Sequence, residues 1–326
     1  MSNENGHTRY PVEIRDVPFS AVGSLPPRPR PQRLWLALLL FFLTLLSTLA
    51  IGAEFAQSYA LNREPFSGDY NPISAMWVAL QHPSVLLLGI PFSFTLLAIL
   101  LAHEMGHYFA CQYYGIDVTY PYFIPAPTLF GTFGAFIRIR SPITTRRALF
   151  DIGIAGPIAG FVLAVPAMAY AIATSRIVPG VQDTADILFG SPPLMHLCMS
   201  LFHPNTMMAW LLLNPVGRAA WVGLFATALN LLPIWQLDGG HIVYSLYQKP
   251  HQRVSLSFAL ALVGLGLYGW RGWILWGVAL TVLVLRFRHP PLLDPWEPLG
   301  AARRLWAFAA LAMFLLCFTP WPAIVP

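Results

Sequence analysis

Residues 92–112, FSFTLLAILLAHEMGHYFACQ, decide what kind of molecule this is. At about 1.5 Å of rise per residue, an apolar helix of this length crosses the roughly 30 Å of a bilayer core. The apolar run carries His103, Glu104 and His107. Ionisable groups inside such a helix are costly and mark function. The spacing is HExxH, which puts two imidazoles on one helical face within reach of one cation. Counted from Phe92, His103 lies roughly 17 Å into the helix, within the bilayer or at its inner boundary.

The rest of the chain supports a membrane setting. Of 326 residues, 56% are hydrophobic and only 10% charged, which excludes an ordinary soluble domain. The net charge of +5 does not point to nucleic acid, because Lys and Arg sit between apolar runs rather than on one face. The three cysteines, Cys111, Cys198 and Cys317, are far apart and imply neither a disulfide framework nor a cysteine metal site.

Apolar spans are expected at 34–53, 92–112, 149–174, 215–233, 254–268, 272–287 and 305–323, about seven crossings by length. Residues 73–91 are apolar too, but Pro83, Gly89 and Pro91 argue against one continuous helix there. That segment is expected to be re-entrant or interfacial. Gly269, Arg271 and Gly272 mark the turn of a helical hairpin. Residues 1–33, ending in PPRPRP, form a polar leader expected to be disordered and cytoplasmic. The domain layout is therefore a leader over 1–33 and a membrane domain over 34–326, with a catalytic core over 92–248.

Lys and Arg alternate between the connecting loops. Arg28, Arg30 and Arg33 precede span one, Arg138 to Arg147 lie between two and three, Lys249 and Arg253 between four and five, and Arg286 to Arg304 between six and seven. This pattern expects a cytoplasmic N-terminus. It also brings HExxH and the end of span four to the same side. Span four ends in NLLPIWQLDGGH, Asn230 to His241. Pro233 breaks the helix, and Gly239-Gly240 permits sharp geometry after Asp238. A carboxylate there can point inward at a cation, or simply cap the helix that follows.

His241 competes with Asp238 as a third ligand, and otherwise serves as a hydrogen-bond donor to substrate or to a ligand. Asn230 either polarises a substrate carbonyl or ties helices together. Neutral imidazoles suit Zn²⁺, and one ion with three protein ligands keeps a position open for water. Glu104 is then the candidate catalytic base. His196 and His203 fall on the other side of the membrane in this scheme. By the chain's own composition, an HExxH match arises by chance in roughly half a per cent of cases.

Between spans two and three, Ala135, Ile137 and Ile139 alternate with Phe136, Arg138 and Arg140, the pattern of a two-faced strand. A small membrane-associated β segment is expected there, able to pair with an extended peptide or merely to plug the bundle. Asp151 looks like an N-cap of span three. Gly156 and Gly160 form a GxxxG suited to close helix packing.

The stretches HEMGH, GTFGAFIRIRSP, DIGIAGPIAG and NLLPIWQLDGGH together resemble the site-2 protease family of intramembrane zinc metalloproteases, in its bacterial and plastid-type branch. The resemblance implies that His103, His107 and Asp238 hold zinc, that Glu104 is the base, and that Asn230 lies at the active site. It further implies hydrolysis of peptide bonds in or near transmembrane segments of membrane-protein substrates. The 175–214 loop is too short for the PDZ domain of many relatives. A transporter using the buried His, Glu and Asp groups, or a non-catalytic relative that binds membrane proteins, is the alternative. The bilayer itself is the expected partner and nucleic acid is not. A bacterial cytoplasmic membrane is the simplest location.

Overall fold

A backbone in lipid must close its own hydrogen bonds, so the long apolar runs become helices. The structure, a computed structural model, describes residues 32–66, 72–292, 294 and 296–324. The leader read over 1–33 thus lies, up to residue 31, outside the described residues. The helices are α1 (Leu34–Ala60), α2 (Pro72–Gln81), α3 (Pro83–Leu88), α4 (Ile90–Tyr113), α5 (Arg146–Thr174), α6 (Pro193–Phe202), α7 (Pro215–Asn230), α8 (Asp238–Leu246), α9 (His251–Tyr268), α10 (Gly272–Arg286) and α11 (Gly300–Cys317).

Every predicted span is occupied by a helix. Four of these, α1, α4, α5 and α11, are long and apolar enough to cross a membrane. At 16 and 15 residues, α7 and α10 are shorter than the roughly 20 that a full crossing takes. Exposed large side chains on α1 (Leu38, Phe42), α10 (Leu275, Leu285) and α11 (Phe308, Leu315) face outward, as the lipid-facing surface of an integral membrane protein requires.

Several boundaries shift for local reasons. α1 continues to Ala60 rather than stopping at 53, and Phe55 and Ser58 in its extra turns are buried. α7 ends at Asn230, ahead of Pro233, whose ring disfavours helix in the residues before it. α11 stops at Cys317, before Pro320 and Pro322. Residues 73–91 form α2, α3 and the start of α4, with breaks at His82 and Gly89. Asp151 is not an N-cap. Thr145 caps α5 by accepting the Ala148 amide at 3.2 Å, one turn earlier than the apolar pattern suggests. Asp151 instead accepts from Arg303 at 2.7 and 2.8 Å and from Tyr114, tying α4, α5 and α11 together.

α4 packs along α5 and α7, and this trio is the centre of the bundle. Phe92, Leu96, Met168, Ile172 and Leu224 are fully buried within it. Lipid removes most hydrophobic drive between helices, so close packing and polar contacts hold them. Thr48 and Ser93 hydroxyls meet at 2.6 Å across α1 and α4.

The β segment is a two-stranded antiparallel hairpin, β1 (Tyr122–Pro125) with β2 (Thr132–Phe136), in the register Tyr122↔Phe136 and Phe123↔Ala135. The strand expected over 135–140 therefore begins earlier and ends at Phe136. Beyond it the Thr119 hydroxyl takes the Arg138 amide at 2.9 Å, which interrupts a regular ladder, and only Val118↔Ile139 bridges further on. The hairpin rests on α1. Ser47 donates to the Gly131 carbonyl at 2.6 Å, and a Cβ at Gly131 would lie 2.7 Å from the Ser47 carbonyl oxygen.

Candidate metal centre

α4 buries His103, Glu104 and His107, each less than a tenth exposed. Asp238 reaches them from the first residue of α8. The 231–237 turn that delivers it is tight, with Trp235 in left-handed backbone at φ +51. Gly239 and Gly240 let α8 tuck under that turn, since Cβ atoms there would lie 2.1 Å from the Leu231 carbonyl oxygen and 2.3 Å from that of Trp235. Leu237 occupies the cap position of α8 without a side-chain cap bond. The Asp238 carboxylate is thus not spent on capping and turns to the histidines.

His103 Nε2 lies 3.1 Å from Asp238 Oδ2, and His107 Nε2 lies 3.3 Å from Oδ1. One ligand atom from each of the three residues falls within 4.8 Å of the others. His107 Nδ1 donates to the Ile152 carbonyl at 2.7 Å; a carbonyl only accepts, so the Nε2 lone pair is free to face the carboxylate. Two imidazole nitrogens and a carboxylate oxygen are a donor set that fits zinc with an open fourth position. The Asn230 amide nitrogen stands 3.2 Å from His103 Nε2, so Asn230 is at the cluster. The backbone of Ile137, just past β2, hydrogen-bonds Glu104, which sets the β segment beside that carboxylate.

The seats for the rings come from α5. A Cβ at Gly156 would fall 2.1 Å from His107 Nε2, one at Gly160 would lie 3.2 Å from His103 Cβ and Nδ1, and one at Gly153 would lie 3.0 Å from His241 Cβ. The GxxxG therefore makes room for both imidazoles. The GxxxG spacing in the sequence signals close packing, and the structure shows that the partners are the HExxH rings.

His241 does not join the three-residue cluster. Its Nδ1 lies 2.9 Å from His289 Nε2, while His289 Nδ1 donates to the Pro290 carbonyl at 2.8 Å. His289 Nε2 is then the acceptor, and His241 donates to it. Tyr244 stacks on His289 at 3.8 Å between centroids. Burial pushes His241 down to about 3 and His289 down to about 4, so both are neutral near pH 7. His289 and its neighbour His251 went unnoticed in the sequence because their partners are remote in the chain. So did the buried pair of Arg218 with Glu64, 2.5 Å apart at the opposite end of the core. His203 is far along the bundle from the cluster, on the Ile172 carbonyl at 2.9 Å.

A helical membrane bundle with HExxH and a remote aspartate buried against one another defines a metal-site protein of the HExxH class. The chain belongs to peptidase family M50, the site-2 protease family: that family's model matches residues 91–267, more than half of the chain and inclusive of all these residues. It is 30% identical over 320 residues to the "Probable zinc metalloprotease EGY1, chloroplastic" of Arabidopsis thaliana, covering 93% of this chain and 57% of that protein. The protein of the same name from Oryza sativa subsp. japonica is 31% identical over 321 residues, covering 94% and 54% respectively. The "Probable zinc metalloprotease EGY2, chloroplastic" of Arabidopsis thaliana is 29% identical over 183 residues, covering 54% of this chain and 32% of that protein. The chain thus spans little more than half the length of the first two relatives.

Proposed function

We propose that the protein is a zinc endopeptidase that hydrolyses peptide bonds in or near transmembrane segments of membrane-protein substrates. The observation that supports this best is the convergence of His103, His107 and Asp238 beside Glu104, inside the bundle. Zinc is the proposed cofactor, as the names of the relatives suggest. Bound there, it supplies a Lewis acid and a water whose pKa falls to about 7. His103 and His107 present neutral Nε2 atoms, and the Ile152 carbonyl keeps the second ring in that tautomer. The Glu104 carboxylate takes the proton of the attacking water and returns it to the leaving amine. The Asn230 amide donates to the carbonyl oxygen as charge builds on it.

A peptide bond inside a helix is shielded by its own hydrogen bonds, so the substrate must be drawn out first. The outer edge of β2, where Phe133 and Phe136 are exposed, offers an extended partner for that step. The seven predicted spans are proposed to be about seven crossings with a cytoplasmic N-terminus, on the alternation of Lys and Arg between loops. The bacterial cytoplasmic membrane is retained as the proposed location, with the plastid of the named relatives as the competing one. Release of regulatory domains from their membrane anchors is the corresponding biological role.

The test compares wild type with Glu104→Gln in detergent, on a panel of single-span substrates, with zinc measured in both. The reading expects near-stoichiometric zinc in each, cleavage by wild type alone, and inhibition by a chelator. Equal cleavage by both proteins removes Glu104 from the mechanism. Metal flux through reconstituted wild type without proteolysis establishes the transporter instead.

A further inference from the structure

A second concave site lies behind the turn that delivers Asp238. Its cavity, about 170 Å³, is bounded by that turn, the α8–α9 connection and the end of α10. Its mouth carries Lys249 and Arg288, both exposed, and among the described residues no acidic one lines it. Its floor is Ser255, fully buried, and His251, nearly so. One wall is Trp235, whose indole Nε1–H is buried and, among the described residues, meets no hydrogen-bond acceptor. A buried donor left without an acceptor is destabilising, so this one calls for an explanation. Trp235 is also in left-handed backbone, held by its amide donating to Ser255 Oγ at 3.1 Å. Strain at a bulky residue persists where the surroundings over-determine it, and here it sets a tryptophan in the cavity wall.

A metal ion does not suit this place. The histidines nearby are already engaged: His241 donates to His289, His289 donates to Pro290, and His251 Nε2 is 3.4 Å from Ser255 Oγ. The cationic mouth repels a cation. A greasy ligand fits poorly against Lys249, Gln252, Ser255 and Arg288. What remains is an anion with several acceptor oxygens, able to take a guanidinium, an ammonium and an indole N–H at once.

We infer that this cavity binds a phosphate group, held by Lys249 and Arg288 at the mouth and by the Trp235 indole N–H within. The phosphate is either that of an anionic lipid headgroup at the membrane surface or free in solution. The lipid source is natural for a basic site at the ends of α8, α9 and α10. The inference concerns binding alone and stands whether or not the chain cleaves peptide bonds.

The test uses the full chain purified in neutral detergent and follows its thermal unfolding midpoint during titration with inorganic phosphate, with chloride at matched ionic strength as the control. In parallel the protein is reconstituted in phosphatidylcholine vesicles with and without phosphatidylglycerol, and the same midpoint is read. A rise with phosphate identifies the free anion, and a rise with phosphatidylglycerol alone identifies the headgroup; both uphold the site. The double variant Lys249→Gln with Arg288→Gln, at two exposed positions, should weaken the response at least about tenfold. Trp235→Phe, which keeps the ring but removes the N–H, should weaken it about fivefold to tenfold. No rise in wild type with either source, or an undiminished rise in the double variant, overturns the inference.

Discussion

The molecule holds two groups of imidazoles, one around Asp238 and one that begins at His241 three residues on, and they are built on opposite principles. His103 and His107 turn their Nε2 atoms toward a carboxylate oxygen each, at 3.1 and 3.3 Å. His241 and His289 turn toward one another at 2.9 Å, with Tyr244 stacked on the second ring. In the first group two imidazole nitrogens and a negative charge converge, an arrangement that a shared cation relieves. In the second every hydrogen has an acceptor and nothing is left to relieve. A count of histidines does not distinguish a metal site from a satisfied polar cluster. The direction of the lone pairs does.

The largest effect should come from removing the convergence itself. Asp238→Ala is expected to weaken zinc retention by roughly a thousandfold, beyond the 10–100-fold typical of groups that only orient ligands; zinc content after dialysis against a graded chelator reads it. Asn230→Ala should leave zinc in place and lower the cleavage rate by about 10²-fold, the scale of one lost oxyanion donor. Retained activity there would reduce Asn230 to a helix tie.

Gly156→Ala places a methyl group where His107 Nε2 now sits, 2.1 Å away. It should lower zinc affinity about 10–100-fold while the helical circular dichroism stays native. The smallest effect belongs to the second group. His289→Asn should leave zinc and cleavage unchanged but reduce sensitivity to acid. The folded imidazole titrates at about 4 and an unfolded one at about 6.5, so the unfolded chain takes up the proton first. His289 thus contributes stability that is present above about pH 6.5 and is lost as pH falls toward about 4; the variant's unfolding midpoint should drop less over that window.

Local signals carried much of this into the sequence. HExxH at helical spacing, the break at Pro233 and the paired glycines after Asp238 each have a mechanism confined to a few residues, and α4 and the turn after α7 bring them together. Apolar periodicity begins only at Leu149 and so points to Asp151, while the cap is set by the Thr145 hydroxyl available one turn before that periodicity begins. Alternation continues through Arg140, but the strand ends at Phe136 because the Thr119 side chain interrupts the ladder. The contacts of His289 with His241, and of Gly153, Gly156 and Gly160 with the rings they seat, join stretches remote in the chain, so no local pattern carries them.

X-ray absorption at the zinc edge of the purified protein, taken for wild type and for Asp238→Ala, tests the account at its centre. Wild type should show one zinc per chain with two imidazole nitrogens and lighter oxygen donors at about 2.0–2.2 Å, and the variant should lose the metal or exchange its carboxylate oxygen for solvent. A wild-type spectrum with sulfur neighbours, or one with the same shell in the variant, would mean that these three side chains do not share a cation.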